Sequence, residues 1–365
     1  MKNLKLSLIL LTLLFVQCYS KKADPVSDTA KEATKTVQAI LDEIKSEFKT
    51  GGAVAAVRKS DGTIDYGVIG QSDNTTPLSK EMSLGIGSIT KTFTAVLIFK
   101  LIEQGQLSLN TTLAEVIPKY LNDNISGEIT VEQLLNHSSG LYNPVNDALI
   151  NEVFSNPSKV FSIEEFLAKV KAPAFEKGTA HGYSNTNYTL LGLIIEQKTG
   201  KAYHEYLRAT LLDPLKLSSS FLSGKETPNN SITIGHSYGP DGNSLKAFPR
   251  DGIESIAWAS GSLFCSVADL TLMYQKLLNG ELLTNASLTK MKTATKGNED
   301  LNYGYGIFKR IDNGDTNFSH SGQTIAYNSI CIYHSKTKST VVVIVNQIVN
   351  DAEQIAIKIL EELKE

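Results

Sequence analysis

The chain has 365 residues, of which 41% are hydrophobic and 20% are charged, a composition typical of a globular protein with one large domain or two closely packed ones. Its formal net charge is -3, and it contains no long run of Lys and Arg. Because binding to a nucleic-acid backbone needs a clustered basic surface, nucleic acid is excluded as a partner.

The N-terminus has the pattern of a secretory signal. Lys2 and Lys5 precede an apolar run, Leu6 to Val16, and a polar stretch follows. A membrane-spanning helix needs roughly 20 apolar residues, so this run is too short to stay as a transmembrane anchor. We therefore expect an exported protein with a signal peptide over residues 1–18.

Cys18 stands where a bacterial lipoprotein signal places the cysteine that receives lipid, although Gln17 occupies a position that usually holds a small residue. Two alternatives follow. The protein is either a lipoprotein anchored in the membrane through Cys18, or a periplasmic protein released by cleavage near Ser20.

The first elements after the signal are a helix and a hairpin. Apolar residues recur at helical spacing from Thr29 to Lys49, which predicts an amphipathic helix that ends at Gly51-Gly52. Two strands follow, Ala53–Val57 and Ile64–Ile69, and the residues Ser60-Asp61-Gly62 between them are typical of a tight antiparallel turn.

The middle of the chain is predicted to be mostly helical, with strands returning near its end. A helix is expected directly after Ser88, and others over residues 131–136, 163–170, 186–198, 203–212 and 266–278. The later strands are predicted over residues 305–309, 317–320, 326–333 and 339–346, before a closing helix over residues 351–363.

Strands near both termini around a helical middle predict an α+β fold, an α/β sandwich in which one antiparallel sheet, built from both chain ends, is flanked by helices. The sheet domain is expected to comprise residues 19–92 and 250–365. A mostly helical domain, residues 93–249, would lie beside it, with the active site between the two.

Cysteine and histidine are not arranged as metal ligands. Cys265 and Cys331 are too few for a disulfide scaffold and lack the paired spacing of a zinc site, so we expect buried free thiols. The six histidines form no His-x-x-x-His or His-Glu-x-x-His pair. The sequence therefore predicts neither a metal nor another cofactor.

Ser88 and Lys91 form a candidate catalytic pair. Gly85-Ile86-Gly87 precedes Ser88, so we expect the serine at a helix N-terminus with Lys91 one turn later on the same face. A serine nucleophile needs a neighbouring base and donors for the oxyanion, and a helix N-terminus supplies free N–H groups. The same residue types are also typical of a capping serine beside a solvated lysine, so Ser-x-x-Lys alone does not decide.

Three segments carry a resemblance to a known family: Gly87-Ser88-Ile89-Thr90-Lys91-Thr92-Phe93-Thr94-Ala95, Tyr183-Ser184-Asn185 and His320-Ser321-Gly322. Together they resemble the serine β-lactamase and penicillin-binding family, in its class C β-lactamase and D,D-carboxypeptidase branch. The first is similar to the family's nucleophile segment, the second to its Tyr-x-Asn, and the third stands where many members carry Lys-Thr-Gly. The resemblance covers approximately Ile40 to Leu363 and implies a β-lactamase/transpeptidase-like fold.

The resemblance also implies three groups of site residues. The residues expected to carry the chemistry are Ser88 as nucleophile, Lys91 as base and Tyr183 as a phenolate-type base or proton relay. The residues expected to bind substrate are Asn185, His320, Ser321 and Gly322. The backbone N–H groups expected to form the oxyanion hole are those of Ser88 and Gln323.

His320 is a departure from the family pattern. It replaces a permanent cation by a group that titrates near neutral pH, so activity is expected to change with pH in that range. Gly322 is expected to let the substrate backbone approach the strand. His137, in the segment Leu134 to Leu141, is interpreted as a hydrogen-bonded structural residue.

Ser237 is a rival nucleophile, because Gly235-His236-Ser237-Tyr238-Gly239 fits the Gly-x-Ser-x-Gly elbow of α/β-hydrolases. That elbow requires a helix directly after the serine, whereas Pro240-Asp241-Gly242-Asn243 is typical of a turn. We therefore expect a loop role for Ser237.

The predicted function is hydrolysis of a small amide, ester or β-lactam through an acyl-enzyme, in the manner of a β-lactamase, a D-Ala-D-Ala carboxypeptidase or an esterase. The substrate would be a small molecule or a peptidoglycan-like acyl group. The alternative is a non-catalytic surface lipoprotein of the same fold that binds peptidoglycan or a protein partner. The sequence does not distinguish oligomeric states.

Overall fold

A computed structural model describes residues 35–156, 158–228, 234–239, 242–246, 250–294, 302–312, 314–347 and 351–362. The predicted signal peptide, Cys18 and the first residues of the helix expected from Thr29 lie outside these ranges. None of the helices within them has the length and apolarity needed to span a membrane.

The strands of the described chain form two antiparallel sheets. They are β1 (Gly52–Arg58), β2 (Ile64–Gly70), β3 (Leu84–Gly85), β4 (Phe221–Leu222), β5 (Leu263–Cys265), β6 (Phe308–Asp312), β7 (Asp315–Gln323), β8 (Asn328–His334) and β9 (Ser339–Val345). The large sheet has the order β2-β1-β9-β8-β7-β6, and the small one β3-β5-β4. Because β1 pairs with β9, the two ends of the chain build one sheet, as predicted.

The helices cover the sheet and form the middle of the chain. They are α1 (Val37–Ile44), α2 (Thr90–Glu103), α3 (Leu113–Val116), α4 (Val131–Leu135), α5 (Asp147–Ser155), α6 (Ile163–Leu167), α7 (Asn185–Thr199), α8 (Tyr203–Leu207), α9 (Asp251–Ala257), α10 (Val267–Leu278), α11 (Asn285–Lys292) and α12 (Ala352–Glu362).

The large sheet is buried on both faces because its central strands send alternate side chains into two cores. Along β9, Val342 and Ile344 enter the core that contains α10 and α2, whereas Val341, Val343 and Val345 enter the core formed with α1 and α12. This arrangement explains the uninterrupted apolar run Val341–Val345 in β9, a strand that is buried along its whole length. The predicted α/β sandwich is confirmed.

Some boundaries differ from the prediction for local reasons. The helix expected up to Lys49 ends at Ile44 and continues as a single 3₁₀ turn, Lys45–Glu47. The strand expected from Tyr305 begins at Phe308, because Gly306 has φ +78° and a side chain there would lie 2.6 Å from Ala95 Cβ.

Candidate active site

Ser88 lies where β3 runs into α2, close to the end of β7. The 3₁₀ turn Gly87–Ile89 leads directly into α2, and Ser88 is half-buried. Gly87 has φ +51°, and a side chain there would lie 2.7 Å from Gln323 N. Glycine is therefore required at this position, and it brings the backbones of Ser88 and Gln323 together, as an oxyanion hole needs.

Lys91 is fully buried and lies against Ser88. Its Nζ is 3.0 Å from Ser88 Oγ, 2.7 Å from Asn185 Oδ1 and 2.8 Å from the Ser260 carbonyl oxygen. Burial lowers the pKa of Lys91 well below its usual value. A neutral amine donates two hydrogens, which the two carbonyl oxygens accept, so its lone pair faces the Ser88 hydroxyl. This geometry lets Lys91 act as the base.

Tyr183 precedes α7 on a loop, with its hydroxyl hydrogen-bonded to Ser88 and its ring centroid 4.8 Å from Lys91 Nζ. Burial raises the pKa of the Tyr183 hydroxyl, and the hydrogen bond with Ser88 opposes this shift only in part. Tyr183 is thus a protonated phenol at neutral pH. Of the two roles that the resemblance implies, this favours the proton relay over a resting phenolate.

Asn185 is the first residue of α7 and connects Lys91 to a neighbouring loop. Its Oδ1 accepts a hydrogen bond from Lys91, and its Nδ2 donates to Asn143 Oδ1 at a distance of 3.4 Å. Asn143 was not among the predicted residues, since a loop asparagine carries no distinguishing sequence signal.

His320 is 1% exposed on β7, and both ring nitrogens have partners. Its Nδ1–H donates to the Ser321 carbonyl at 2.6 Å, and its Nε2 is 3.3 Å from the Tyr303 hydroxyl, which can only donate to it. Burial, followed by the proximity of Lys91, lowers the pKa of His320 to about 3. The expectation that His320 titrates near neutral pH is therefore wrong, because the ring packs between Tyr303 and Phe308 rather than facing solvent.

The last residues of β7 alternate across the strand. Ser321 and Gln323 are exposed, whereas Gly322 is buried. A side chain at Gly322 would lie 1.9 Å from the Ile86 carbonyl oxygen and 2.6 Å from Ser329 Oγ. The protein's own backbone therefore fills the space that we expected Gly322 to leave for substrate, and the glycine allows β7 to pack on the segment leading to Ser88.

Ser260 is a site residue that the sequence did not reveal. Its carbonyl oxygen accepts a hydrogen bond from Lys91. The turn that presents this oxygen contains Trp258, whose φ of +36° is a conformation that non-glycine residues rarely adopt. Because a backbone atom makes the contact, no side-chain pattern marks it.

The remaining expectations concern residues outside this cluster. Ser237 is buried in a segment that is neither helix nor strand, consistent with the loop role expected of it. Cys265 and Cys331 are buried and free, as predicted. In the part of the chain that the structure describes, no group of three or more His, Cys, Asp or Glu side chains is placed to hold a metal.

Comparisons with known proteins agree on one family. A model of the Beta-lactamase family matches residues 37–364, which include all three motif segments. Protein flp of Staphylococcus aureus is 34% identical over 152 residues, 40% of this chain and 29% of that protein. The teichoic acid D-alanine hydrolase of Staphylococcus aureus is 25% identical over 251 residues, 67% of this chain and 58% of that protein. The match thus spans less than two thirds of either relative.

A solved structure shows the same fold. The D-stereospecific amidohydrolase from Streptomyces sp. has a TM-score of 0.77 and 24% identity, covering 88% of this chain and 97% of that one.

Proposed function

The chain belongs to the beta-lactamase family of serine hydrolases, and we propose that it hydrolyses small aminoacyl esters or amides whose leaving group carries no carboxylate. The observation that carries this proposal is the neutral, fully bonded His320 beside an intact Ser88–Lys91 pair.

The proposed reaction proceeds in two steps. Ser88 Oγ attacks the substrate carbonyl carbon while its proton passes to Lys91, and the N–H groups of Ser88 and Gln323 stabilise the oxyanion. The bond to the leaving group then breaks, and the leaving group takes a proton through Tyr183. Water attacks the resulting ester, and the acid departs as Ser88 regains its proton.

The choice of leaving group follows from the charge at the end of β7. A Lys at position 320 would offer a permanent cation to a substrate carboxylate, whereas His320 is uncharged at neutral pH. Phe308 and Tyr303, which pack against the ring, add no charge. A carboxylate placed here would lose its hydration without gaining an ion pair. D,D-peptides and β-lactams, which carry such a carboxylate, are therefore disfavoured as substrates.

The relatives support an aminoacyl substrate. One is named for hydrolysis of D-alanine from teichoic acid, and a protein of the same fold is a D-stereospecific amidohydrolase. Both names refer to substrates of D configuration. We therefore propose D-aminoacyl esters and amides as the substrates of the present chain.

Matched substrates test this proposal. A peptide ending in D-Ala-D-Ala and its C-terminal amide differ only in the leaving-group carboxylate. We expect wild type to cleave the amide with the higher kcat/KM by about tenfold, Ser88→Ala to cleave neither, and His320→Lys to shift the ratio about tenfold towards the carboxylate. His334→Lys, the same change on β8, is the control and should leave the ratio unaltered. A wild-type preference for the free carboxylate would refute the proposed leaving group.

Export is a separate part of the proposal, supported by the signal-like pattern of residues 1–18. We propose that the protein acts outside the cytoplasm and is anchored through Cys18. Palmitate labelling of the full chain and of Cys18→Ser tests this: label on the wild type alone is expected, and equal labelling or none would contradict the anchor.

A further inference from the structure

His137 holds the loop that carries Tyr183 at three consecutive residues. The Gly182 N–H donates to the His137 carbonyl oxygen at 2.9 Å, and the Ser184 N–H donates to His137 Nδ1 at 3.3 Å. Between them, the Tyr183 ring lies on the His137 ring with the centroids 4.3 Å apart and the planes at 39°. One side chain thus contacts the backbone on both sides of Tyr183 and the face of its ring.

The His137 ring is itself fixed by α7. Asn187 Nδ2 donates to His137 Nδ1 at 2.8 Å, and Asn187 Oδ1 accepts from Ser139 Oγ at 2.6 Å. Because Nδ1 accepts two N–H groups, the ring hydrogen is on Nε2, which is buried and has no hydrogen-bond partner within the described ranges. The backbone of His137 is also in the left-handed conformation, with φ +60°.

These contacts exclude His137 as the acid or base and leave a role in geometry. Burial lowers the pKa of His137 well below its usual value, so the ring stays neutral. Residues 181–184 belong to no helix or strand. The backbone N–H groups of Gly182 and Ser184 are therefore not bonded within a helix or strand. Both donate to His137 instead.

We propose that His137 is a positioning residue that sets the distance between the Tyr183 hydroxyl and the reacting atoms. This inference rests on the proposed role of Tyr183 as a proton relay. Proton transfer requires the relay within hydrogen-bond reach, and a displacement of about 1 Å can cost about 10²-fold in rate. A role confined to stability would lower the melting temperature without acting through Tyr183.

His137→Asn separates these roles. Asparagine tolerates a left-handed backbone, and its Oδ1 can replace Nδ1 as acceptor, so the variant removes mainly the ring under Tyr183. On a D-alanyl amide, we expect kcat to fall about tenfold with KM within about twofold of wild type. Ser138→Ala, a change in the same turn that does not touch Tyr183, is the control and should retain wild-type kcat.

A double-mutant cycle with Tyr183→Phe provides the decisive readout. We expect Tyr183→Phe alone to lose about 10²-fold in kcat and the double variant to lose no more, because the ring has no hydroxyl left to place. If the losses of the two single variants multiply in the double variant, or if His137→Asn keeps the wild-type kcat, the role of His137 is overturned and the proposed function is not. Wild-type turnover equal to that of Ser88→Ala would overturn the proposed function and this role with it.

A second variant keeps the test available if His137→Asn does not fold. Asn187→Ser removes the donor that orients the ring and leaves the ring itself in place. Its kcat should fall about threefold in the wild-type background and not in Tyr183→Phe. Equal falls in both backgrounds, or none in either, would overturn the proposal.

Discussion

Replacing Gly322 by alanine should disable the oxyanion hole without touching a catalytic side chain. The added Cβ would lie 1.9 Å from the Ile86 carbonyl oxygen, and real Cβ atoms essentially never approach within 3.0 Å, so β7 must move by about 1 Å. Gln323, the next residue, carries the proposed oxyanion donor. Displacing such a donor costs about 10²-fold in kcat, and the overpacking costs about 1–3 kcal/mol of stability.

The assay is turnover of a D-alanyl amide by Gly322→Ala, with thermal melting to establish that the variant is folded. Gly261→Ala is the matched control, because its Cβ would meet Ala257 Cβ at 3.3 Å, a contact that a small shift relieves. We expect the control to stay within about threefold of wild-type kcat. A folded Gly322→Ala with wild-type kcat would show that Gln323 N is not an oxyanion donor.

Three further predictions follow from buried groups. Lys91→Met should abolish turnover yet raise the melting temperature at pH 7, because a buried amine whose pKa is lowered destabilises the fold; a lower melting temperature would contradict this. The pKa of His320 is about 3 in the folded protein and 6.5 in the unfolded chain. Between these values the unfolded chain binds more protons, so the stability of the fold falls as the pH drops below 6.5. His320→Gln should show a smaller fall in melting temperature between pH 7 and 4, and an identical fall would refute this. Burial raises the pKa of Cys265 and Cys331, so both thiols should react with a disulfide reagent only after denaturation, as peptide mapping of the labelled cysteines would show.

Local patterns predicted the elements that carry the site. Short apolar runs marked β1 and β9, and the glycines before Ser88 marked the turn into α2. These signals are readable because each depends on a few neighbouring residues. The contribution of both chain ends to one sheet also followed, because strands were predicted near both termini around a helical middle.

The electrostatic state of the site was not predictable in the same way. A histidine in a motif is expected to titrate near its solution pKa, but His320 is buried by Tyr303 and Phe308, which precede it by 17 and 12 residues and reach it only through the β6–β7 hairpin. Ser260 acts through its backbone, and Gly322 is required by Ile86, some 236 residues earlier. Such contacts arise from tertiary packing between residues far apart in the chain, which local sequence patterns do not reveal.

The two buried bases of the site also constrain each other. Lys91 lowers the pKa of His320, and two cations so close together in a buried site would repel strongly. With His320 neutral, this repulsion is absent in the resting enzyme, and the proton released by Ser88 during attack can be taken up by Lys91 without a facing positive charge. A lysine at position 320 would add that charge and depress the basicity of Lys91. His320→Lys should therefore gain the carboxylate substrate at the cost of a slower acylation step, so that kcat for the amide falls while the roughly tenfold preference for the amide disappears.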